Sequence, residues 1–299
     1  MNLAALERIA ATVTPTVPLA DAAVWAKLEY EMPSGSTKDR IAARILQTAD
    51  LHDASVVVEA SSGSTSIAFA MACAAIGLRF IAVMPEGVSN ERLLLIRRYG
   101  GEVVLTPHGD GMVGAIARTE AMARSDANVF LPRQFANAEN ARAHHLRTGP
   151  ELIQQVPDRI DGFVAAVGTA GTLMGIGAAL RDAYGDDVVL ARVRVAGAEA
   201  DAEQGGPCSD IPGVVDCMST ILDAGALGLA PDIEVGHGQA LRATRALISQ
   251  GFPVGLSSGL NYVAAEVLST QLGTGSRVAT VFCDRMERYF SSDLFDDLR

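Results

Sequence analysis

The chain has 299 residues, of which 49% are hydrophobic, and its formal net charge is −11. This length predicts two domains of ordinary size with sizeable cores. The acidic balance and the lack of a basic tract argue against nucleic acid or a membrane surface as the main ligand. Four widely spaced cysteines without a CxxC pair predict a reduced, cytoplasmic protein without a disulfide framework or a metal site. The sequence predicts no signal peptide and no membrane-spanning apolar run.

Short β-branched segments alternate with longer helical ones along most of the chain. Strands are predicted, in chain order, at residues 24–30, 55–59, 80–84, 102–105, 163–167, 193–196 and 277–282. Helices are predicted to begin at Lys38 and to cover residues 64–77, 90–99, 111–125, 138–155, 172–184, 239–250 and 258–271. Residues 205–220 lack periodicity and are predicted to form a long loop. The alternation predicts an α/β fold with parallel sheets covered by helices.

Lys38 stands out at a predicted helix start, within the segment 33–40 (PSGSTKDR). The sequence has only two lysines, Lys27 and Lys38, and uses arginine elsewhere. An amine can lose its proton and form a Schiff base, whereas a guanidinium stays protonated. Lys27 is predicted to be a solvated side chain in mid-strand. For Lys38 two interpretations stay open at this point: a solvated residue in a turn capped by Ser36 or Thr37, or a nucleophile.

Turns rich in Gly, Ser and Thr follow the predicted strands. They are residues 33–40, 61–65 (SSGST), 168–172 (GTAGT) and 255–259 (GLSSG). Strand-to-helix turns lie at the carboxyl edge of a parallel sheet, and helix N-termini bind anions, so two of these turns could hold a phosphate and a carboxylate. The glycine spacing of residues 168–175 does not fit a dinucleotide fingerprint. The adjacent pair His144 and His145 is predicted to be surface or capping residues rather than metal ligands.

Taken together, the motifs resemble those of the pyridoxal-phosphate enzymes of the cysteine synthase (O-acetylserine sulfhydrylase) and cystathionine β-synthase family, fold type II. Residues 33–40, 59–65 and 168–172 resemble P-G-G-S-x-K-D-R, E-P-T-S-G-N-T and G-T-G-G-T. Residues 134–137, 148–151, 255–259 and 287–289 resemble Q-F-x-N, T-G-P-E, G-I-S-S-G and E-R-Y. The resemblance covers nearly the whole chain.

This resemblance implies two three-layer αβα domains with mostly parallel sheets. The smaller domain would comprise residues 33–137, and within it residues 55–131 would close on the substrate. The larger, phosphate-binding domain would comprise residues 1–32 and 138–299. The family resemblance also implies a homodimer.

The resemblance further implies pyridoxal 5′-phosphate as cofactor and Lys38 as its Schiff-base lysine, held as an internal aldimine. The implied cofactor-binding residues are Lys38, Ser64, Gly168, Thr169, Ala170, Gly171, Thr172, Ser257, Cys283 and Asp284. The implied substrate-binding residues are Ser61, Ser62, Gly63, Ser64, Thr65, Gln134, Gly213 and Asp216. No metal ligand is implied.

The implied reaction is β-replacement on an activated L-serine such as O-acetylserine. Lys38 would remove the Cα proton, an aminoacrylate would form, and a nucleophile would give cysteine or a related β-substituted alanine. One alternative is a β-eliminating lyase resembling cysteine desulfhydrase or serine dehydratase. Another is a non-catalytic binding homologue, against which the intact Lys38 argues.

Four departures from the family pattern bear on specificity. Ser64 replaces an Asn that lies against the cofactor's ring oxygen. Ala170 replaces a Gly in the phosphate-binding turn, which is tolerable if its φ is negative. Asp216 would repel an anionic nucleophile, or is a surface carboxylate. Either Cys283 or Asp284 faces the pyridine nitrogen, and an Asp there would keep that nitrogen protonated.

Overall fold

A computed structural model describes residues 3–197, 211–215 and 218–299. The chain divides into two compact units. The first comprises Met1–Thr12, Met32–Asn137 and Glu287–Arg299, and the second comprises Val13–Glu31 and Ala138–Met286. Within the described ranges, no helix is long and apolar enough to cross a membrane.

Helices and strands alternate as the sequence predicts. The helices are α1 (Leu3–Ala10), α2 (Lys38–Thr48), α3 (Ser64–Ile76), α4 (Asn90–Arg98), α5 (Gly111–Ser125), α6 (Glu139–Ala143), α7 (Gly149–Gln155), α8 (Gly171–Tyr184), α9 (Ala224–Leu227), α10 (His237–Ser249) and α11 (Leu256–Leu272). The strands are β1 (Thr16–Leu19), β2 (Val24–Leu28), β3 (Val56–Ala60), β4 (Arg79–Pro85), β5 (Glu102–Thr106), β6 (Val129–Phe130), β7 (Gly162–Ala166), β8 (Val189–Val195), β9 (Ile233–Val235) and β10 (Val278–Phe282). A π-helical turn, His144–Thr148, separates α6 from α7.

The first unit is built on a four-stranded parallel sheet in the order β5-β4-β3-β6. Successive side chains of a strand point to opposite faces, so both faces of this sheet are buried. Val57 of β3 packs with Phe69 of α3 on one face. Val56 and Val58 pack with Ala115 of α5 on the other face. The sheet is therefore the middle layer of an αβα sandwich.

The second unit contains a six-stranded sheet in the order β1-β2-β10-β7-β8-β9. Only its edge strand β1 is antiparallel, and the other strand pairs are parallel. Phe163 of β7 packs with Leu173 of α8 on one face. Phe282 of β10 packs with Leu247 of α10 in a separate cluster. The predicted fold class, with mostly parallel sheets between helices, is confirmed.

The two chain termini depart from the predicted domain boundaries. The predicted larger domain includes residues 1–12 and 287–299, whereas both segments lie in the first unit. The reason is packing: Leu6 of α1 lies in one buried cluster with Leu46 and Phe69. At the other end, Arg288 donates a hydrogen bond from Nη1 to the carbonyl oxygen of Gly35 at 2.8 Å. Closure of residues 55–131 stays a prediction.

Candidate active site

Lys38 is the first residue of α2, and the turn before it is held in one conformation. The carboxylate of Asp39 accepts hydrogen bonds from the backbone N–H of Ser34, at 2.6 Å, and from the Ser34 hydroxyl. Gly35 has a φ of +85°, which favours glycine, and its N–H donates to the carbonyl oxygen of Met32 at 2.7 Å. Asp39 thus satisfies a backbone donor of the turn and fixes the position from which Lys38 projects.

The side chain of Lys38 is half-buried. Its backbone N–H donates to the Ser36 hydroxyl oxygen at 3.3 Å, as one of the two capping interpretations expected. Thr37 was the other predicted cap. Its side chain makes no capping hydrogen bond, so the prediction of Thr37 as the cap is wrong. Among the residues that the structure describes, none forms an ion pair or hydrogen bond with Lys38 Nζ. The amine is therefore available for chemistry.

Lys27, the second lysine, is buried, which corrects the prediction of a solvated side chain. It is 0% exposed in the middle of β2. Its Nζ lies 2.9 Å from Glu151 Oε2 and donates to Gln155 Oε1 at 2.9 Å. The Lys27 amine is thus enclosed by its ion-pair and hydrogen-bond partners. Of the two lysines, Lys38 is therefore the one suited to act as a nucleophile.

The turn of residues 61–65 connects the carboxyl end of β3 to the N-terminus of α3. The Ser61 hydroxyl oxygen accepts hydrogen bonds from the N–H of Gly63 at 3.0 Å and from the N–H of Ser66 at 3.3 Å. Ser61 therefore caps the helix. Ser62 and Ser64 are partly buried at the same helix start. Backbone N–H groups at a helix N-terminus attract anions, which fits the predicted role in binding a carboxylate.

Gln134 reaches this turn from the segment after β6. The Thr65 hydroxyl donates to Gln134 Oε1 at 2.6 Å, and Gln134 Nε2 donates to the carbonyl oxygen of Ala60 at 2.7 Å. Because β6 pairs in parallel with β3, both segments leave the sheet at its carboxyl edge. Gln134 is buried and joins the two segments. The structure thus brings Gln134 and the predicted carboxylate-binding turn together.

Arg92 of α4, which was not among the predicted site residues, lies behind the same turn. Its Nη1 lies 3.4 Å from the carbonyl oxygen of Ser62. A side chain at Gly63 would collide with Cδ and Nε of Arg92, so Arg92 packs directly against the backbone of this turn. Arg92 is 7% exposed. It places a buried positive charge against a turn predicted to bind an anion.

Glu59, the residue of β3 just before this turn, is a buried carboxyl group. Burial raises its pKa to about 8, although hydrogen bonds from the backbone N–H groups of Gln134, Ala60 and Arg133 partly oppose that shift. Its Oε2 has no hydrogen-bond partner among the described residues. The protonated form of Glu59 is therefore favoured at neutral pH.

The raised pKa of Glu59 makes stability depend on pH. Over the window between its ordinary value of 4.5 and about 8, the folded state holds a proton that the unfolded state has released. Stability therefore falls as pH rises through this window. We expect the unfolding free energy of wild type, relative to Glu59→Gln, to fall by about 3 kcal/mol between pH 5 and pH 8. Urea unfolding of both proteins across this range measures the difference, and parallel curves would contradict it.

In the second unit, the turn of residues 168–172 joins β7 to α8 and is held by side chains from elsewhere. Asn140 Nδ2 donates to the Thr169 hydroxyl oxygen at 2.7 Å. The Ser219 hydroxyl donates to the carbonyl oxygen of Thr169 at 2.7 Å. The turn has no space for larger residues, because a side chain at Gly168 would collide with Gly213 and one at Gly171 with Asn140. The helix N–H groups of this turn remain suited to an anion.

His144 supports the same turn, which corrects its prediction as a surface or capping residue. It is 1% exposed, and its Nε2 lies 3.3 Å from the Thr172 hydroxyl. Its Nδ1 lies 2.9 Å from the Thr148 hydroxyl. The π-helical turn that starts at His144 is a feature often found at functional sites. The four-residue spacing of His144 and Thr148, on one helix face, was the signal in the sequence.

Ala170 has a φ of +66°, so the condition of a negative φ is not met. A non-glycine residue in the left-handed region is strained by about 1–2 kcal/mol. We expect Ala170→Gly to raise the unfolding free energy by about 0.5–1 kcal/mol, after the greater entropy of an unfolded glycine is subtracted. Ala178→Gly, inside α8, is the control and should lower stability by about 1 kcal/mol. Loss of stability in both variants on urea unfolding would contradict the strain.

The remaining predicted residues lie near the carboxyl end of β10 and the start of α11. The backbone N–H of Cys283 donates to the Ser258 hydroxyl oxygen at 3.0 Å, and the N–H of Gly255 donates to the carbonyl oxygen of Asp284 at 2.9 Å. Ser257 is buried in the first turn of α11. The structure therefore groups Ser257, Cys283 and Asp284.

Two further residues were predicted in the substrate loop. Gly213 has a φ of +90° and lies against Gly168. Asp216 and half of the predicted loop of residues 205–220, namely residues 205–210, 216 and 217, lie outside the described residues.

Comparison with known proteins decides the family. A family model described as pyridoxal-phosphate dependent enzyme matches residues 8–284. The chain belongs to this family. It is 37% identical to a Staphylococcus aureus cysteine synthase, and the match covers 95% of each chain. The predicted family and the predicted cofactor are thereby confirmed.

Two solved structures resemble the chain over nearly its full length. O-ureido-L-serine synthase superposes with a TM-score of 0.89 at 31% identity, over 97% of this chain and 95% of the other. A hydrogen sulfide-producing enzyme from Fusobacterium nucleatum superposes with a TM-score of 0.89 at 30% identity, over 98% of this chain and 91% of the other. These relatives have different activities on the same fold.

The residues present fit pyridoxal phosphate. An anion-binding turn without space for side chains at Gly168 and Gly171 suits a phosphate group. Lys38 provides an amine without a partner among the described residues. Both features are what a covalently held, phosphorylated aldehyde requires of a protein.

Proposed function

We propose that this enzyme catalyses β-replacement on an activated L-serine such as O-acetylserine, giving cysteine or a related β-substituted alanine. The observation that carries the proposal is the state of the two lysines. A pyridoxal-phosphate enzyme holds its cofactor on a lysine. Lys27 is fully buried against Glu151, which leaves Lys38 as that lysine. The likeness to a cysteine synthase over 95% of the chain supports the choice of reaction.

The bound cofactor supplies an electron sink for charge that develops at the substrate's Cα. Lys38 Nζ would hold the cofactor at rest and, when released from it, would take the proton from the substrate's Cα. The β-leaving group then departs with its electron pair, and the nucleophile bonds to Cβ. Lys38 returns the proton to Cα, so the substrate skeleton is unchanged apart from its β-substituent.

The other residues bind and orient. We assign the substrate carboxylate to the turn of residues 61–65, with Arg92 behind it and Gln134 beside it. We assign the cofactor phosphate to the turn of residues 168–172, where backbone N–H groups replace cationic side chains. Gly213, which lies against Gly168, is assigned to the substrate loop, as is Asp216. Ser64 and Ser257 are assigned to the cofactor.

Between the two candidates for the pyridine nitrogen, we assign Asp284. The Cys283 sulfur lies 3.6 Å from Asn261 Nδ2 and 3.7 Å from the carbonyl oxygen of Val281, and the residue packs against the core. Asp284 is buried at the same strand end. Its carboxylate would keep the ring nitrogen protonated. The ¹⁵N chemical shift of labelled cofactor in wild type and in Asp284→Asn tests the assignment, and an identical shift would refute it.

The second candidate function is β-elimination, in which water completes the reaction and releases pyruvate and ammonia. The structural likeness to a hydrogen sulfide-producing enzyme favours it. A product assay separates the two reactions. We expect purified enzyme with O-acetylserine and sulfide to form cysteine at least about tenfold faster than pyruvate. If pyruvate is instead the main product, whether O-acetylserine or cysteine is the substrate and whether or not sulfide is present, the result would favour the lyase.

We also propose that the enzyme is a cytoplasmic homodimer, as the family resemblance implies. Elution as a monomer in gel filtration at micromolar concentration would contradict the dimer.

A further inference from the structure

The E-R-Y segment near the C-terminus has no role in the function proposed above, yet it contacts the elements that carry that function. We call Arg288–Ser291 the C-terminal brace. Arg288 and Tyr289 are each 2% exposed, although arginine side chains are seldom fully buried unless they are paired. The brace docks on the first unit through specific polar contacts.

The first contact of the brace is with the Lys38 turn. Arg288 Nη1 donates to the carbonyl oxygen of Gly35 at 2.8 Å, and Nη2 donates to that of Ser34. Two hydrogen bonds from one planar guanidinium fix both the position and the orientation of a turn. Ser34 is also the residue that hydrogen-bonds Asp39, next to Lys38. Arg288 therefore fixes the backbone from which Lys38 projects.

The second contact is with α4. The Tyr289 ring lies 4.9 Å from Arg92 Cζ, in cation–π geometry. The Ser89 hydroxyl donates to the carbonyl oxygen of Arg288 at 3.1 Å, and the Ser291 hydroxyl donates to Glu91 Oε2 at 2.9 Å. These contacts hold the first turn of α4, which carries Arg92 to the carbonyl oxygen of Ser62.

The positive charge of Arg92, which the second contact positions, affects binding of the substrate carboxylate. Arg92 is buried and forms no ion pair with any residue that the structure describes. An isolated buried charge is costly, and an opposite charge nearby offsets that cost. A substrate carboxylate bound at the turn of residues 61–65 would be such a charge. Arg92 thus favours anion binding from behind the turn, while the turn itself supplies the N–H groups.

We propose that the C-terminal brace positions both reactive turns of the first unit, Arg288 acting on the Lys38 turn and Tyr289 acting through Arg92 on the substrate-carboxylate turn. The proposal rests on the function proposed above. The proposal predicts that substitutions at the adjacent residues Arg288 and Tyr289 change different kinetic parameters. Loss of the Arg288 contacts should alter chemistry at Lys38, and loss of the Tyr289 contact should alter binding of the amino acid.

Steady-state kinetics of the holoenzyme with O-acetylserine and sulfide tests this separation. Tyr289→Leu and Arg92→Met should each raise KM for the amino acid about tenfold and change kcat less than about threefold, because ground-state and transition-state binding are weakened alike. Arg288→Met should lower kcat about tenfold, with a smaller change in KM, and shift the cofactor's visible absorption. Arg92→Lys and Tyr289→Phe keep the charge and the ring, and should recover most of the lost KM.

The control is Leu298→Ser, an exposed residue of the same C-terminal segment, which should leave kcat and KM unchanged. Two results would overturn the proposal. One is equal changes of kcat and KM in Tyr289→Leu, Arg92→Met and Arg288→Met, and the other is wild-type kinetics in these variants with only a lower melting temperature. If Arg288→Met does not fold, comparison of Arg92→Met with Arg92→Lys still decides whether Arg92 acts on substrate binding. Failure of the proposed function is a separate outcome, in which the Lys38→Ala protein keeps its cofactor and its activity.

Discussion

Replacing Lys38 with alanine is expected to lower kcat by at least about 10³-fold and to abolish the visible absorption of lysine-bound cofactor. The side chain has two tasks, since it bonds the cofactor at rest and moves the substrate's Cα proton. Lys27 cannot replace it, because its ammonium is enclosed by Glu151 and Gln155. Borohydride reduction followed by peptide mass mapping should locate the cofactor on the peptide that contains Lys38 in wild type and on no lysine in the variant.

Lys38→Arg is the matched control for charge. It keeps a cation at the N-terminus of α2, but a guanidinium does not lose its proton and does not form the covalent link. We expect the same loss of activity and absorption as in Lys38→Ala. If Lys38→Arg kept the absorption band, or if reduction labelled Lys27, the assignment of Lys38 would be wrong.

Replacing Lys27 with methionine is expected to lower the unfolding free energy by about 3–5 kcal/mol, although Lys27 has no part in the chemistry. The change removes the ammonium that lies 2.9 Å from Glu151 Oε2, and removing one partner of a buried ion pair is strongly destabilising. It also removes the donor to Gln155 Oε1 and to the carbonyl oxygen of Thr14. Equilibrium unfolding in urea, followed by circular dichroism, measures the loss.

Two comparisons isolate the buried pair. The double variant Lys27→Met/Glu151→Leu should recover most of the stability, because replacing both partners removes the ammonium and the carboxylate together. Arg79→Met breaks the exposed pair with Glu102, whose N–O distance is 2.7 Å, and should cost less than about 1 kcal/mol. Equal losses from the buried and exposed pairs would show that burial does not control the energy of the Lys27 ion pair.

Much of the fold could be predicted from local pattern. Runs such as residues 56–58 and 80–84 are apolar on both faces, which is typical of a strand in a parallel sheet, and each is followed by a helical segment that ends at glycine or begins near a serine. The short strands β1, β6 and β9 were missed, since two to four residues carry too little periodicity. The predicted domain boundaries place the terminal segments differently from the two units of the structure, because docking depends on contacts between residues far apart in sequence.

In the candidate site, too, residues within short sequence motifs could be predicted, whereas roles that depend on contacts between residues far apart in the sequence could not. Lys38 was found because it is rare in this sequence and stands in a short motif. The prediction that the Lys27 side chain is solvated was wrong. Its ion-pair partner Glu151 lies more than a hundred residues away in the sequence, so no local pattern indicates the ion pair. Arg92 and His144 were missed as supporting residues for a similar reason: each acts on a turn from a different element. The positive φ of Ala170 is a property of the folded turn, and residue type alone gave only the condition under which alanine would be tolerated there.

The most direct test of the central claim is the visible spectrum of the purified enzyme before and after O-acetylserine is added, and again after sulfide. The account predicts an absorption band of cofactor bound to Lys38 that changes when O-acetylserine reacts and returns when sulfide completes the replacement. A band that O-acetylserine leaves unchanged would contradict the proposed substrate while leaving Lys38 and the cofactor in place. Absence of any such band, even after pyridoxal phosphate is supplied, would contradict the role of Lys38 itself.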